Sequence, residues 1–205
     1  MIIGIFGGTF NPIHLGHTAL AKSFIRKGLV DEVWLMVSPQ NPLKGNDAVD
    51  YDSRLQMARI ATSRVKGVIV SDFERSLPVP SYTVNTLREL KKTYPQHDFC
   101  LIIGGDNWQR FDRWYKSDEI RRNFDILVYP RPGVEIDQTT LLTPERDTYR
   151  HSYKRDTRVH RQYFVDCKLH DISSTEIRKK LANGEPVRGM INTQVAKYIS
   201  KKGLY

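Results

Sequence analysis

Apolar positions along the chain fall into short continuous runs, separated by stretches in which apolar residues recur at helical spacing. Residues 2–6 form an apolar run ending in Gly7-Gly8, which reads as a buried strand feeding a turn. Residues 15–27 read as a helix with Ala19, Leu20, Phe24 and Ile25 near one face, and Gly28 as its stop. Residues 32–38 (EVWLMVS) predict a second strand, apolar on both faces as in a parallel sheet. Asp52 or Ser53 is expected to cap a helix running to about residue 65, followed by a third strand over 67–71. Residues 83–94 carry Val84, Leu87 and Leu90 at turn spacing, and 99–103 (FCLII) predict a fourth strand ending in Gly104-Gly105-Asp106. A short helix closes at 119–122, and 125–129 (DILVY) predict a fifth strand.

Strands alternating with helices at this spacing imply βαβ units with right-handed crossovers. The expected fold class is α/β, a Rossmann-like parallel sheet with helices on both faces. Ligands on such sheets bind at the carboxyl ends of the strands, and here the first and fourth strands both end in Gly-Gly. The alternation breaks down from Pro130 to Arg161, where residues 145–161 (ERDTYRHSYKRDTRVHR) are mostly charged. That stretch reads as a solvated, partly mobile insertion, or as a phosphate-binding or subunit-contact segment. Strand character returns over 163–169. Ser173 opens a helix with Glu176 in capping-box position, and a last amphipathic helix covers 193–202. One domain over residues 1–205 is expected, with 134–161 as the insertion and 173–205 as a helical part.

Composition changes this picture in one respect. The 205 residues are 40% hydrophobic and 27% charged, an ordinary globular balance, yet the net charge is +9. That excess suits a phosphate-rich partner, whether nucleotide, nucleic acid or anionic lipid. The two cysteines, Cys100 and Cys167, sit in apolar runs and read as buried free thiols. No apolar run is long enough to span a bilayer. The N-terminal run is too short for a signal peptide, so the cytoplasm is the expected location. Oligomeric state is left open, a homo-oligomer included.

The richest stretch is Gly7-Gly8-Thr9-Phe10-Asn11-Pro12-Ile13-His14-Leu15-Gly16-His17. Two glycines after a buried strand let the backbone turn sharply and expose its N–H groups. A helix begins near His14, and a helix N-terminus attracts phosphate through unpaired amides and its dipole. His14 and His17, three residues apart, can present both imidazoles on one side of the first turn. Preorganised donors lower the barrier to nucleotidyl transfer by stabilising charge on the oxygens of the attacked phosphorus. Imidazoles are suitable donors and can be cationic near neutral pH. The rival readings are a helix cap with a packing histidine, or a metal-binding pair. GGTFNPIHLGH resembles the motif of the nucleotidyltransferase superfamily whose signature is His-x-Gly-His. The resemblance implies that both histidines contact ATP phosphates, with His17 on the α-phosphate, and that Gly7, Gly8, Thr9 and Phe10 line the ligand. Asn11 stands where many members carry Asp.

A second motif, Ile172-Ser173-Ser174-Thr175-Glu176-Ile177-Arg178, crowds three hydroxyls and one guanidinium at a helix start, a combination suited to a di- or triphosphate. ISSTEIR is similar to the signature of the bacterial nicotinate-nucleotide adenylyltransferases, in which it holds the β- and γ-phosphates of ATP. That family resemblance runs from residue 1 to about 178, with a poor match over 134–161. It implies further site residues. Lys44 would reach the reacting phosphates, although Leu43 replaces the family's histidine beside it. Ser81, Tyr82 and Thr83 would receive the nicotinate carboxylate. Trp114, preferred by alignment over Trp108, would stack on the pyridine beside Tyr115. Gly104 and Asp106 would contact ATP, and Arg131 the acceptor or a phosphate.

The implied reaction moves AMP from ATP to nicotinate mononucleotide by direct in-line attack, with His14, His17, Lys44 and Arg178 as its catalytic groups. Mg²⁺ would accompany ATP on phosphates and waters, with no protein metal site. The partners are ATP and nicotinate mononucleotide, with neither nucleic acid nor membrane. Nicotinamide mononucleotide and phosphopantetheine are the rival acceptors. An RNA-binding module using the basic segment from Arg146 to Arg161, with Tyr149 and Tyr153 available for stacking, is the rival of a different class.

Overall fold

The computed structural model describes residues 1–39, 48–154, 158–168 and 170–205. Lys44 therefore lies outside the described residues. Six strands form one wholly parallel sheet: β1 (Ile2–Gly8), β2 (Glu32–Val37), β3 (Val68–Ser71), β4 (Asp98–Gly104), β5 (Asp125–Tyr129) and β6 (Gln162–Phe164), in the order β3-β2-β1-β4-β5-β6. Between and after them lie α1 (Leu15–Arg26), α2 (Tyr51–Thr62), α3 (Thr83–Thr93), α4 (Gly105–Trp108), α5 (Ser117–Asn123), α6 (Arg146–Ser152), α7 (Ser174–Ala182) and α8 (Thr193–Lys202). The α/β, Rossmann-like expectation is met.

Alternation along β1 shows how the sequence builds two cores. Ile2 and Phe6 point to one face, where Phe24 of α1, Leu55 and Ala58 of α2, and Val195 and Ile199 of α8 pack. Ile3 and Ile5 point to the other, against Val84, Leu87 and Leu90 of α3 and Ile120 of α5. Each of these buried Val, Leu, Ile and Phe side chains contributes about 1.5–3 kcal/mol relative to exposure. Both cores are needed because the strands are apolar on both sides.

Three expectations shift. The cap of α2 is Asp50, whose carboxylate accepts the Ser53 N–H at 2.8 Å, rather than Asp52 or Ser53. The last strand is only Gln162–Phe164, shorter than 163–169. Part of the charged segment is not solvated: Tyr149 of α6 is 2% exposed, and its ring meets Tyr163 edge-on at 5.1 Å. The charged Arg146, Asp147 and Arg150 of that helix concealed an aromatic anchor.

The strand order places a reversal between β1 and β4. β1 stays paired with β2 as far as Gly8–Val37, but with β4 only as far as Ile5–Leu101. Beyond that point β1 is paired with β2 alone, and ligands on such sheets bind at this switch point, in the crevice beyond the carboxyl ends of the strands.

Candidate active site

The β1–α1 turn forms one wall of the crevice. A Cβ on Gly8 would lie 3.0 Å from the Phe10 ring, so the strand end has no room for a side chain. Phe10 takes a left-handed backbone (φ 47°) and is 3% exposed. His14 is the N-cap of α1. Its ring stacks on His17 with centroids 3.6 Å apart and planes 27° from parallel, so the structure brings the two histidines onto one side of the turn. The His14 backbone N–H donates to Nδ1 of His17 at 3.2 Å. Only an unprotonated Nδ1 can accept that bond, so the His17 ring proton sits on Nε2, where it can donate. Burial, reinforced by the Arg131 guanidinium, pulls the His14 pKa down to about 4. His14 is therefore neutral near pH 7, and its buried Nδ1 has no hydrogen-bond partner among the described residues.

The second motif docks directly on this turn. Ser174 Oγ donates to the Pro12 carbonyl at 3.0 Å, and Arg178 Nη1 donates to the Asn11 carbonyl at 2.8 Å. The other hydroxyls are also engaged: Ser173 caps α7 by accepting the Glu176 N–H at 3.1 Å, and Thr175 Oγ1 accepts from Arg178 at 3.3 Å. Ile172 packs against the core beneath. Segments more than 160 residues apart thus share one polar surface.

Across the crevice, β4 ends at Gly104 and α4 begins. A Cβ on Gly104 would meet Asp106 Oδ1 at 2.5 Å and Arg131 Cγ at 3.0 Å, so glycine lets these two side chains close over the strand end. Arg131 Nε lies 3.4 Å from Asp106 Oδ1. Its charge also reaches His14, which joins this wall to the first.

The remaining predicted residues form an aromatic patch on the other face of the sheet. Tyr82 caps α3 through its backbone and packs against Tyr115 at 4.8 Å. Thr83 opens α3, whose first turn carries no acidic residue. Trp108 and Trp114 both lean on the fully buried Phe111, at 5.5 Å and 5.3 Å. Trp108 also has the Arg121 guanidinium 4.5 Å from its ring centre. Trp114 Nε1 is buried without a hydrogen-bond partner among the described residues.

The cytidylyltransferase-like family model matches residues 5–180. A probable nicotinate-nucleotide adenylyltransferase of Bacteroides thetaiotaomicron is 45% identical over 197 residues, covering 96% of this chain and 89% of the relative. One from Flavobacterium johnsoniae is 36% identical, covering 100% of this chain and 99% of the relative. The chain belongs to the cytidylyltransferase-like family. Among solved structures, the nicotinic acid mononucleotide adenylyltransferase of Plasmodium falciparum complexed with NaAD superposes with a TM-score of 0.78. It covers 100% of this chain and 97% of its own at 20% identity, a likeness of fold.

In this member of the cytidylyltransferase-like family, three residues that no motif pointed to support the crevice. Arg54, 2% exposed, reaches Thr9 of the first turn. Tyr205 donates its hydroxyl to Asn11 Oδ1 at 2.6 Å. Glu74 is buried beside the Ser81 element, accepts from Thr86 Oγ1 at 2.7 Å, and is pushed up to about 7 by burial. Helical periodicity carried a signal for Arg54, which shares the face of Tyr51, Leu55 and Ala58. The tertiary partners of Glu74 and Tyr205 left no local trace.

The basic segment lies at the opposite end of the sheet, and much of its charge is spent internally. Arg150 pairs with Asp31 at 2.8 Å, and Arg158 with the buried Asp125 that opens β5. Among the described residues no helix is long and apolar enough to cross a membrane, and no group of three His, Cys, Asp or Glu side chains could hold a metal ion.

Proposed function

We propose that this protein transfers AMP from ATP to nicotinate mononucleotide, forming deamido-NAD and pyrophosphate, and does so in the cytoplasm. The docking of Ser174 and Arg178 onto the Pro12 and Asn11 carbonyls carries this reading. It brings imidazole, hydroxyl and guanidinium groups onto one surface. The names of the relatives favour the nicotinate acceptor.

An acceptor phosphate oxygen would attack the α-phosphorus of ATP, forming one P–O bond while the bond to the β-phosphate oxygen breaks. The electron pair leaves with pyrophosphate. The acceptor phosphate is already ionised near pH 7, so no general base is required. His17, donating through Nε2, would stabilise charge on the α-phosphate, with neutral His14 stacked behind it as a second donor. Arg178 and the helix start at Ser173, Ser174 and Thr175 would hold the β- and γ-phosphates, and Lys44 would join them. Gly7, Gly8, Thr9, Phe10, Gly104, Asp106 and Ile172 would line the nucleotide.

For the acceptor, the N-terminus of α3 offers amides and a favourable dipole to a carboxylate, and the Ser81 hydroxyl lies near the buried Glu74. Trp114 suits the pyridine better than Trp108, because Arg121 already covers the latter. Tyr115 and Arg131 would complete that side. Mg²⁺ carried on phosphate oxygens and waters would neutralise the leaving pyrophosphate. Asp106, whose side chain stays 46% exposed beside Arg131, fits as acceptor for a water of that ion.

Pyrophosphate release measured with nicotinate mononucleotide, nicotinamide mononucleotide and phosphopantetheine in turn tests the proposal. The highest kcat/KM is expected with nicotinate mononucleotide. A preference for phosphopantetheine would overturn the acceptor assignment.

A further inference from the structure

The side chain of Arg54 is buried in α2, yet it has no carboxylate partner among the described residues, unlike Arg59, Arg75, Arg88, Arg121, Arg131, Arg150 and Arg158. It donates instead to four backbone carbonyls. Nη1 reaches Thr9 at 2.8 Å and Ser38 at 2.9 Å, Nε reaches Val49 at 2.8 Å, and Nη2 reaches Pro39 at 3.3 Å. These carbonyls come from three separate places: the β1–α1 turn, the end of β2 and the lead-in to α2. A guanidinium supplies five donors in a fixed plane, which a lysine ammonium cannot reproduce.

The peptide of Val49 is held from both sides. Its carbonyl accepts from Arg54, and its N–H donates to Asn11 Oδ1 at 3.3 Å. Asn11 in turn offers its carbonyl to Arg178 at 2.8 Å. Arg54 and Arg178 therefore brace the same turn from opposite sides, one at Thr9 and one at Asn11. Because a trans peptide is planar, turning the Thr9 carbonyl toward Arg54 makes the Phe10 N–H point away from the buried guanidinium. A polar core cation used in this way costs desolvation, which a hydrophobic residue at the same place would avoid.

We infer that Arg54 is a positioning residue: it fixes the β1–α1 turn, and with it the placement of His14 and His17, by bonding carbonyls rather than by touching substrate. This rests on the nucleotidyl-transfer reading of that turn. Misplacing reacting groups by an ångström costs up to about a hundredfold in rate. Losing one hydrogen bond from the bracing costs roughly threefold or more in affinity.

The test uses Arg54→Lys and Arg54→Met in the full chain. Pyrophosphate release is measured with whichever acceptor the wild type uses, and ATP binding by calorimetry without acceptor. Arg54→Lys, with native circular dichroism, is expected to lose about tenfold to a hundredfold in kcat while ATP binding weakens by about threefold. Millimolar guanidinium is expected to restore part of the kcat of a folded Arg54→Ala, and matched urea none. A folded Arg54→Lys or Arg54→Met with kcat and ATP affinity within twofold of wild type would overturn the inference. Equal loss of activity and of folded fraction, with no guanidinium rescue, would do the same by reducing Arg54 to a stability element. If no acceptor supports turnover, the transfer reading fails separately, and unchanged ATP affinity in Arg54→Lys then decides against Arg54.

Discussion

The two sides of the candidate site, one on each face of the sheet, are built by different means. The β1–α1 side is fixed by directional polar contacts: Ser174 and Arg178 from α7, Arg54 from α2, and Tyr205 on Asn11. The aromatic side, around Tyr82, Trp108, Trp114 and Tyr115, is a set of plates leaning on Phe111 and on one another. Tyr115 is 49% exposed. A reaction that concentrates charge on phosphate oxygens gains from donors already aimed and dry. A flat ring needs only area and a planar neighbour, and such contacts tolerate adjustment. The difference implies that changes on the first side should strike turnover, and changes on the second should strike acceptor binding.

The sharpest test is His17→Ala. Loss of one transition-state donor is expected to lower kcat at least about a hundredfold, with KM for the acceptor little changed. Steady-state pyrophosphate release checks it, and near-wild-type kcat would remove His17 from the chemistry. Next comes acid stability. The unfolded chain protonates His14 near pH 6.5, about the ordinary histidine value, whereas the folded chain does so only near pH 4. Between these values the unfolded state binds more protons, so folding weakens as pH falls. The contribution is on the order of 3 kcal/mol. Urea midpoints measured from pH 7 to pH 4 should fall less steeply in His14→Gln, and equal slopes would show that His14 titrates normally.

On the aromatic side, Trp114→Ala is expected to raise the acceptor KM by about threefold to tenfold with kcat retained, the range of one aromatic contact. Trp108→Ala should change it less, and the reverse ranking would move the ring to Trp108. The smallest effect belongs to Tyr205→Phe, which removes one hydrogen bond to Asn11. It is expected to cost about 1 kcal/mol, read as a severalfold rise in KM for ATP. No change would exclude Tyr205 from the bracing of the turn.

The sheet and the polar side were legible because their signals are contiguous. Apolar runs marked five strands closely, and GGTFNPIHLGH and ISSTEIR each carry their chemistry within a few residues. Arg54, Glu74 and Tyr205 were not legible as parts of the site, because each acts through partners brought near only by folding. Periodicity could place Arg54 on the buried face of α2, but not show that four carbonyls await it. Tyr149 was hidden for a related reason: Arg146, Asp147 and Arg150 surround it in sequence, and its packing against Tyr153 and Tyr163 exists only in the fold. The choice between Trp108 and Trp114 is likewise tertiary, since both lie on Phe111 and differ in what covers them.

The fate of the α-phosphorus bears most directly on what this crevice does. ATP labelled at that atom, incubated with nicotinate mononucleotide, Mg²⁺ and the protein, is expected to deliver its label into a dinucleotide while unlabelled pyrophosphate accumulates in equal amount. Label that remains in ATP, or emerges in ADP with the γ-phosphate on another molecule, would contradict adenylyl transfer.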